Sequence, residues 1–159
     1  MTIAGDPYDY PFDGDLQPTN TALMVIDMQF DFCGEGGYVD KMGYDISLTR
    51  AAIEPIRKAL AAARSWGCHI LHTREGHRRD LSDLPAYKQW RSRRIGAGIG
   101  DRGPNGRILV RGEPGWQIIP ELSPREDEII VDKPGKGGFY STDLELILRC
   151  AGIRNLVLT

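Results

Sequence analysis

Two ionisable residues stand just after short apolar runs, and together they could perform acid–base chemistry. Asp27 follows residues 21–26 (TALMVI), and Lys133 closely follows residues 128–131 (EIIV). A carboxylate can take the proton of a nucleophile, and an ammonium can stabilise the anions that then form. Each residue alone also has an ordinary explanation, because Asp often caps turns and Lys is usually exposed. A shared role therefore requires elements that bring the two side chains to one place.

The hydrophobic pattern predicts strands ahead of both residues. The run at 21–26 is nearly unbroken, as in strands that are buried on both faces of a parallel sheet. Similar short runs predict further strands at residues 68–72 (CHILH), 128–131 and 155–159 (NLVLT), and a minor strand at 108–110. Asp27 and Lys133 would thus both lie at the carboxyl ends of strands.

Apolar residues at helical spacing predict the connecting helices. One helix is expected from Ser47, as its N-cap, to a stop at Gly67, with Pro55 either kinking it or marking a late first turn. Two shorter helices are expected over residues 87–93 and 142–150.

The alternation of strands and helices predicts an α/β fold, a doubly wound three-layer sandwich with a central parallel sheet of the Rossmann-like kind. Right-handed crossovers place all carboxyl ends at one edge of the sheet, so Asp27 and Lys133 would converge on one crevice. Residues 1–20 are predicted to form an N-terminal arm, and residues 21–159 the N-terminal part of a single domain. Because residue 159 closes an apolar strand with no covering helix after it, the sheet is expected to be incomplete at its C-terminal side.

The composition excludes several classes of protein. The 159 residues carry a net charge of −2 and contain three cysteines. No apolar run reaches the roughly 18 residues of a membrane span, and the N-terminus lacks the features of a signal peptide. An odd number of cysteines without a C-x-x-C pair argues against a disulfide framework and favours a reducing cytoplasmic setting.

The middle of the chain is strongly basic. Residues 64–111 hold eleven basic and four acidic side chains. They lack the frame of a known nucleic-acid-binding motif, so a nucleic-acid partner is not expected, and a solvated loop or a surface for an acidic partner is the better interpretation. Arg91, Arg93 and Arg94 are likewise interpreted as a solvated or interface run rather than a substrate clamp.

Three segments of the chain resemble the isochorismatase-like cysteine hydrolases. They are residues 22–32 (ALMVIDMQFDF), 36–45 (GGYVDKMGYD) and 129–148 (IIVDKPGKGGFYSTDLELIL). Within that superfamily, DFCGEGGYVDKMGYD, HTREGHRRDLSDLP and DKPGKGGF resemble the biuret amidohydrolases most. The resemblance implies an isochorismatase-like fold and hydrolysis of one C–N bond of biuret, giving urea-1-carboxylate and ammonia.

The resemblance also implies a triad of cysteine, aspartate and lysine and a covalent acyl-enzyme. Asp27 and Lys133 occupy the aspartate and lysine positions. The nucleophile would follow a few residues after Thr159, since none of the three cysteines in the chain occupies its position. The chain is therefore expected to supply the base and the lysine only, and residues 1–159 alone are expected to be inactive.

Two substrate-binding residues follow from the same resemblance. Lys136, in a Gly-rich turn, would reach a substrate carbonyl oxygen, and Phe32 would form a pocket wall. The alternatives are a solvated turn lysine and ordinary core packing. No metal or other cofactor is expected, because HTREGH lacks the aspartate two residues before a histidine that metal-binding relatives carry, so His72 and His77 are interpreted as structural.

Alternatives remain open for the function. The substrate could be ureidoacrylate or another carbamoyl amide, and the chain could be a non-catalytic remnant or interaction subunit. A small-molecule amide substrate is the expected partner, with no membrane, and the resemblance implies a homo-oligomer, specifically a homotetramer.

Overall fold

A computed structural model describes residues 1–159. The strands are β1 (Thr21–Ile26), β2 (His69–Glu75), β3 (Arg102–Gly103), β4 (Gly106–Arg107), β5 (Ile129–Lys133) and β6 (Asn155–Leu158). The helices are α1 (Phe30–Cys33), α2 (Tyr38–Lys41), α3 (Ser47–Arg50), α4 (Ile53–Trp66), α5 (Ala86–Arg94) and α6 (Leu144–Cys150). Short 3₁₀ helices cover Pro18–Asn20, Pro114–Trp116 and Pro120–Leu122.

Four parallel strands form a central sheet in the order β5-β2-β1-β6. Alternate side chains of β1 point to opposite faces. Leu23 and Val25 pack with Leu60 of α4 on one face of the sheet. Ala22 and Met24 lie on the opposite face, where they pack beneath α6. The α/β sandwich with a parallel sheet, as predicted, is confirmed, and the apolar run at residues 21–26 is explained by burial on both faces.

The strand order explains why the end of β1 is a suitable place for a ligand. From β1 the chain moves outward through β2 to β5, and then crosses back to place β6 on the other side of β1. Ligands of open α/β sheets bind beyond the carboxyl ends of strands where the order reverses in this way. Asp27 is the first residue after β1.

Strand β2 is longer than the pattern predicts. It continues past residue 72 to Glu75, which pairs in register with Lys133 of β5, while Thr73 pairs with Ile26 of β1. The buried Gln29 supports the extension: its amide donates to Glu75 O at 3.0 Å and accepts Glu75 N–H at 2.7 Å. This extension places Glu75 beside the two residues of interest.

The connection from β2 to β5 folds over the carboxyl edge of the sheet instead of forming a free loop. Helix α5 confirms the helix predicted at residues 87–93. The minor strand predicted at 108–110 does not form: Val110 makes only a single parallel bridge with His77, while Ile108 and Leu109 pack with Ile99 in a small buried cluster. The buried Asp31 carboxylate fixes this cluster by accepting Leu109 N–H at 2.8 Å.

The helix predicted from Ser47 onward is divided into α3 and α4. Pro55 is the third residue of α4, where its missing N–H breaks no helical hydrogen bond, so the late first turn is the correct alternative. Ser47 is not the N-cap, since it is the first residue of α3 and its own N–H is accepted by Asp45. Gly67 ends α4 in the left-handed conformation, as predicted, with φ 77°.

Residues 1–20 are largely exposed and reach the sheet at its amino end, where the Tyr10 hydroxyl donates to Asn155 Oδ1 at 3.0 Å. Among the helices, none combines the length and apolar character that crossing a bilayer demands.

Candidate active site

Asp27 and Lys133 meet at the carboxyl edge of the sheet. Lys133 Nζ donates to Asp27 Oδ2 at 2.6 Å, although the two residues are 106 positions apart in sequence. The Lys133 side chain is only 1% exposed, whereas that of Asp27 is 18% exposed. The carboxylate therefore faces the open side of the pair, and the ammonium lies behind it.

Asp27 is held in a strained orientation. Its φ is +54°, a left-handed conformation that costs energy for any residue with a side chain and is least costly for Asn and Asp. The Thr73 hydroxyl donates to Asp27 Oδ1 at 2.7 Å, so each carboxylate oxygen has one partner. Backbone strain of this kind persists where the surrounding structure fixes a residue, often at functional sites.

Lys133 has a second carboxylate nearby. Its ammonium donates to Gly135 O at 2.9 Å, and Glu75 Oε2 lies 3.8 Å from Nζ. Glu75 in turn accepts a hydrogen bond from Lys88 Nζ at 2.7 Å. Asp27, Lys133, Glu75 and Lys88 thus form a row of alternating charges along the edge of the sheet.

Sequence analysis did not identify Thr73, Glu75 or Lys88 as site residues. The signal for the first two was the strand period, since positions 73 and 75 lie on the same face of β2. No comparable signal exists for Lys88, because it stands in a basic run whose members differ in exposure and are not distinguishable by residue type.

A cavity of about 710 Å³ lies next to the pair. Asp27 and Lys133 do not line it, but Gly135, whose carbonyl accepts from Lys133, and Lys88, which donates to Glu75, do. Basic side chains predominate in its lining, which holds one acidic residue, Asp83, and the cations Arg78, Lys88, Arg91, Arg111 and Lys136. Lys88 and Arg111 are committed to protein partners. The other three make no ion pair and no side-chain hydrogen bond within the chain.

The predicted substrate-binding residues differ in their placement. Lys136 is exposed and lines the cavity. Phe32 does not line it: the ring is partly buried, packs against the core under the sheet, and meets Tyr38 edge-on with ring centroids 6.1 Å apart. Arg91, interpreted from sequence as solvated, also lines the cavity, whereas Arg93 faces Asp101.

The three cysteines lie outside the pair. Cys33 is buried within the hydrophobic core, and burial raises the pKa of its thiol. Cys68 donates weakly to Ala63 O, and Cys150 is exposed on α6. None forms a hydrogen bond with Asp27 or Lys133, so this part of the protein presents a base and a cation without an adjacent thiol.

The two histidines flagged by the sequence have separate protein partners. His72 Nε2 lies 3.0 Å from Glu128 Oε2, near the amino end of β5. His77 Nδ1 lies 3.3 Å from Asp83 Oδ1, and His77 Nε2 lies 3.0 Å from Lys88 Nζ. The chain gathers no group of three or more His, Cys, Asp and Glu side chains suited to hold a metal ion.

Comparison with known proteins places this arrangement in context. The sequence profile of the isochorismatase domain matches residues 21–159. The chain is 36% identical over 145 residues to the ureidoacrylate amidohydrolase RutB of Agrobacterium fabrum, covering 89% of this chain and 64% of that protein. It is 33% identical over 159 residues to RutB of Acinetobacter baylyi, covering 89% and 59%. The chain thus spans less than two thirds of the length of these curated relatives.

Solved structures show the same fold. A cysteine hydrolase from Pseudomonas syringae pv. phaseolicola 1448A superposes with a TM-score of 0.66 and 27% identity, over 90% of this chain and 60% of that one. An isochorismatase family protein from Desulfovibrio vulgaris subsp. vulgaris str. Hildenborough gives a TM-score of 0.67 and 30% identity, over 88% and 67%. The curated relatives carry the name ureidoacrylate amidohydrolase, and neither of the two is named as a biuret hydrolase.

Proposed function

The chain belongs to the isochorismatase domain family, and we propose that it supplies the acid–base half of a cysteine-dependent amidohydrolase acting on a carbamoyl amide that bears a carboxylate, of the ureidoacrylate type. The observation that carries the proposal is the contact of 2.6 Å between Asp27 and Lys133, beside a cavity lined by unpaired cations. The nucleophile in this proposal is a cysteine other than Cys33, Cys68 and Cys150, since none of these contacts Asp27 or Lys133.

In this mechanism Asp27 is the base. Its carboxylate, on the open side of the pair, takes the proton of the cysteine thiol, and the buried Lys133 ammonium stabilises the thiolate and the negative charge that develops on the substrate oxygen. The thiolate forms a bond to the carbonyl carbon, and the C–N bond then breaks. The leaving nitrogen receives the proton back from Asp27, and water hydrolyses the thioester-like acyl-enzyme.

The charge of the residues that line the cavity favours an anionic substrate over biuret. Arg78, Arg91 and Lys136 line it without a counter-charge from the protein. A guanidinium binds a carboxylate through two parallel hydrogen bonds, and biuret offers no such group. The relatives that carry the name ureidoacrylate amidohydrolase support the same choice.

The test is ammonia release by the full-length protein, with ureidoacrylate and biuret as competing substrates. Ammonia reports on both, because a carbamate released from a ureido group breaks down to ammonia and carbon dioxide. Ureidoacrylate is expected to give the higher kcat/KM. Arg91→Leu should raise KM for ureidoacrylate about 10-fold or more, corresponding to one charge-assisted contact, and change biuret turnover little.

Arg93→Leu is the matched control, because Arg93 lies on the same helix and faces Asp101 instead of the cavity. Faster turnover of biuret than of ureidoacrylate would refute the substrate assignment. Absence of turnover for every carbamoyl amide would favour the non-catalytic alternative.

A further inference from the structure

The Lys88 ammonium is fully committed to the protein even though it lines the cavity. Its side chain is 12% exposed. Nζ donates to Glu75 Oε1 at 2.7 Å and to Pro134 O at 3.2 Å, and it lies 3.0 Å from His77 Nε2. An ammonium has three donors, so these contacts leave none for a substrate. Lys88 must therefore act on the site through its partners.

The most consequential partner is Glu75, which stands between two cations. One carboxylate oxygen accepts from Lys88, and the other lies 3.8 Å from Lys133 Nζ, beyond hydrogen-bond distance. The main chain of Glu75 is fixed by Gln29, so only the side chain can move toward Lys133. Two carboxylates, from Asp27 and Glu75, thus compete for one buried ammonium.

We infer that Lys88 is a positioning residue, which holds the Glu75 carboxylate away from Lys133 so that the Lys133 ammonium stays hydrogen-bonded to Asp27. In its absence, the partly desolvated Glu75 carboxylate has one remaining cation, and a shift of about 1 Å brings it into hydrogen-bond contact with Lys133. The inference rests on the proposed function insofar as Asp27 and Lys133 perform the chemistry.

His77 maintains the donor role of Lys88. Burial lowers the pKa of His77, and the adjacent Lys88 ammonium lowers it further. The neutral ring can therefore accept the Lys88 hydrogen bond at Nε2 while Nδ1–H points to Asp83. Lys88 is held from three sides: by Glu75 at the end of β2, by His77 two residues later, and by Pro134 after β5.

The experiment is a double-mutant cycle in the full-length protein with Lys88→Met, Glu75→Gln and the combined variant. Lys88→Met should lower kcat about 10-fold to 100-fold, the cost of a misplacement of about 1 Å, with a much smaller change in KM. The combined variant also lacks the competing charge of Glu75, so its kcat should be at least about 10-fold higher than that of Lys88→Met. A packing role for Lys88 would predict no such recovery.

Lys58→Met is the control, since Lys58 is exposed on α4 and faces Glu54 far from the site. A combined variant no faster than Lys88→Met would overturn the inference. A crystal structure of Lys88→Met provides a readout without activity: Glu75 should lie within hydrogen-bond distance of Lys133 Nζ, and unchanged positions of Glu75 and Lys133 would also overturn it. If the protein hydrolyses no amide, the proposed function fails while this structural outcome still decides the inference.

Discussion

At the residue scale, the contact between Asp27 and Lys133 is costly to build. An ammonium that is 1% exposed has lost its hydration, and a buried ion pair seldom returns more than this loss. Asp27 adds backbone strain with its φ of +54°. A pair that is expensive to desolvate and strained, yet keeps its carboxylate 18% exposed, is better explained by chemistry than by stability.

How much of this site the sequence could predict differs from residue to residue. Asp27 and Lys133 follow from a simple rule, because residues that end parallel strands share one edge of the sheet. Glu75 was hidden by the predicted end of β2 at residue 72. The role of Lys88 depends on contacts across 13 and 46 residues of sequence, and no local pattern distinguishes it from its basic neighbours.

At the scale of the elements, boundaries were less predictable than element types. The helix around Pro55 and the strand at residues 21–26 follow from proline geometry and apolar pattern. The extension of β2 follows from Gln29, a single buried side chain 46 positions away from Glu75, and the sequence gives no sign of that contact. Residues 108–110 are apolar because they fill a small core, and apolarity alone does not distinguish that from a strand.

We predict that Gln29→Leu destabilises the protein by about 2–4 kcal/mol, because it leaves Glu75 N–H and the carbonyls of Glu75 and Trp116 without their buried partner. Urea unfolding would measure the loss. Gln89→Leu is the control, since the Gln89 side chain makes no hydrogen bond and should shift the unfolding free energy by less than about 0.5 kcal/mol. Equal effects of the two substitutions would show that Gln29 does not hold the end of β2.

At the scale of the whole molecule, buried titratable groups determine how stability depends on pH. Burial lowers the pKa of both His72 and His77 from the ordinary value of 6.5. Below that value the unfolded chain binds protons that the folded protein does not, so the free energy of unfolding should fall as pH decreases from about 6.5. Burial acts to raise the pKa of Glu128, but hydrogen bonds from Arg64, Arg125 N–H and His72 lower it to about 2, which adds a further loss below pH 4.5.

Asp31 acts in the opposite direction. Burial raises its pKa to about 6, against the hydrogen bond from Leu109 N–H, so its proton uptake favours the folded state as pH falls from 6 toward 3.8. A group with a pKa of about 6 already takes up protons above pH 6, so Asp31 offsets part of the histidine contribution, but two histidines outweigh one carboxyl between pH 8 and 6. Urea unfolding at pH 8, 7, 6.5 and 6 should show stability that is level at first and then declines. Stability that rises across this range would mean that the histidines are not buried as neutral rings.

The fold of the whole molecule could be predicted from the alternation of elements, whereas the way the β2–β5 connection covers the site could not. The eleven basic residues at 64–111 suggested a solvated surface, yet their partners are set by tertiary contacts. Charge counts therefore predicted that this region is positively charged, but not where the cavity lies. The choice between an anionic substrate and biuret rests on the geometry and on the relatives.

The most direct test of the account is ammonia release from ureidoacrylate by the full-length protein carrying Asp27→Asn. Asparagine tolerates the left-handed backbone and keeps the side-chain shape, so the change removes the carboxylate charge, and with it the proton acceptor, without requiring the backbone to move. We predict a decrease in kcat of about 10²- to 10⁴-fold. Asp132→Asn, near the end of β5 where its carboxylate pairs with Arg74, should stay within about 3-fold of the wild-type rate. Turnover by Asp27→Asn close to the wild-type rate would contradict the assignment of Asp27 as the catalytic base.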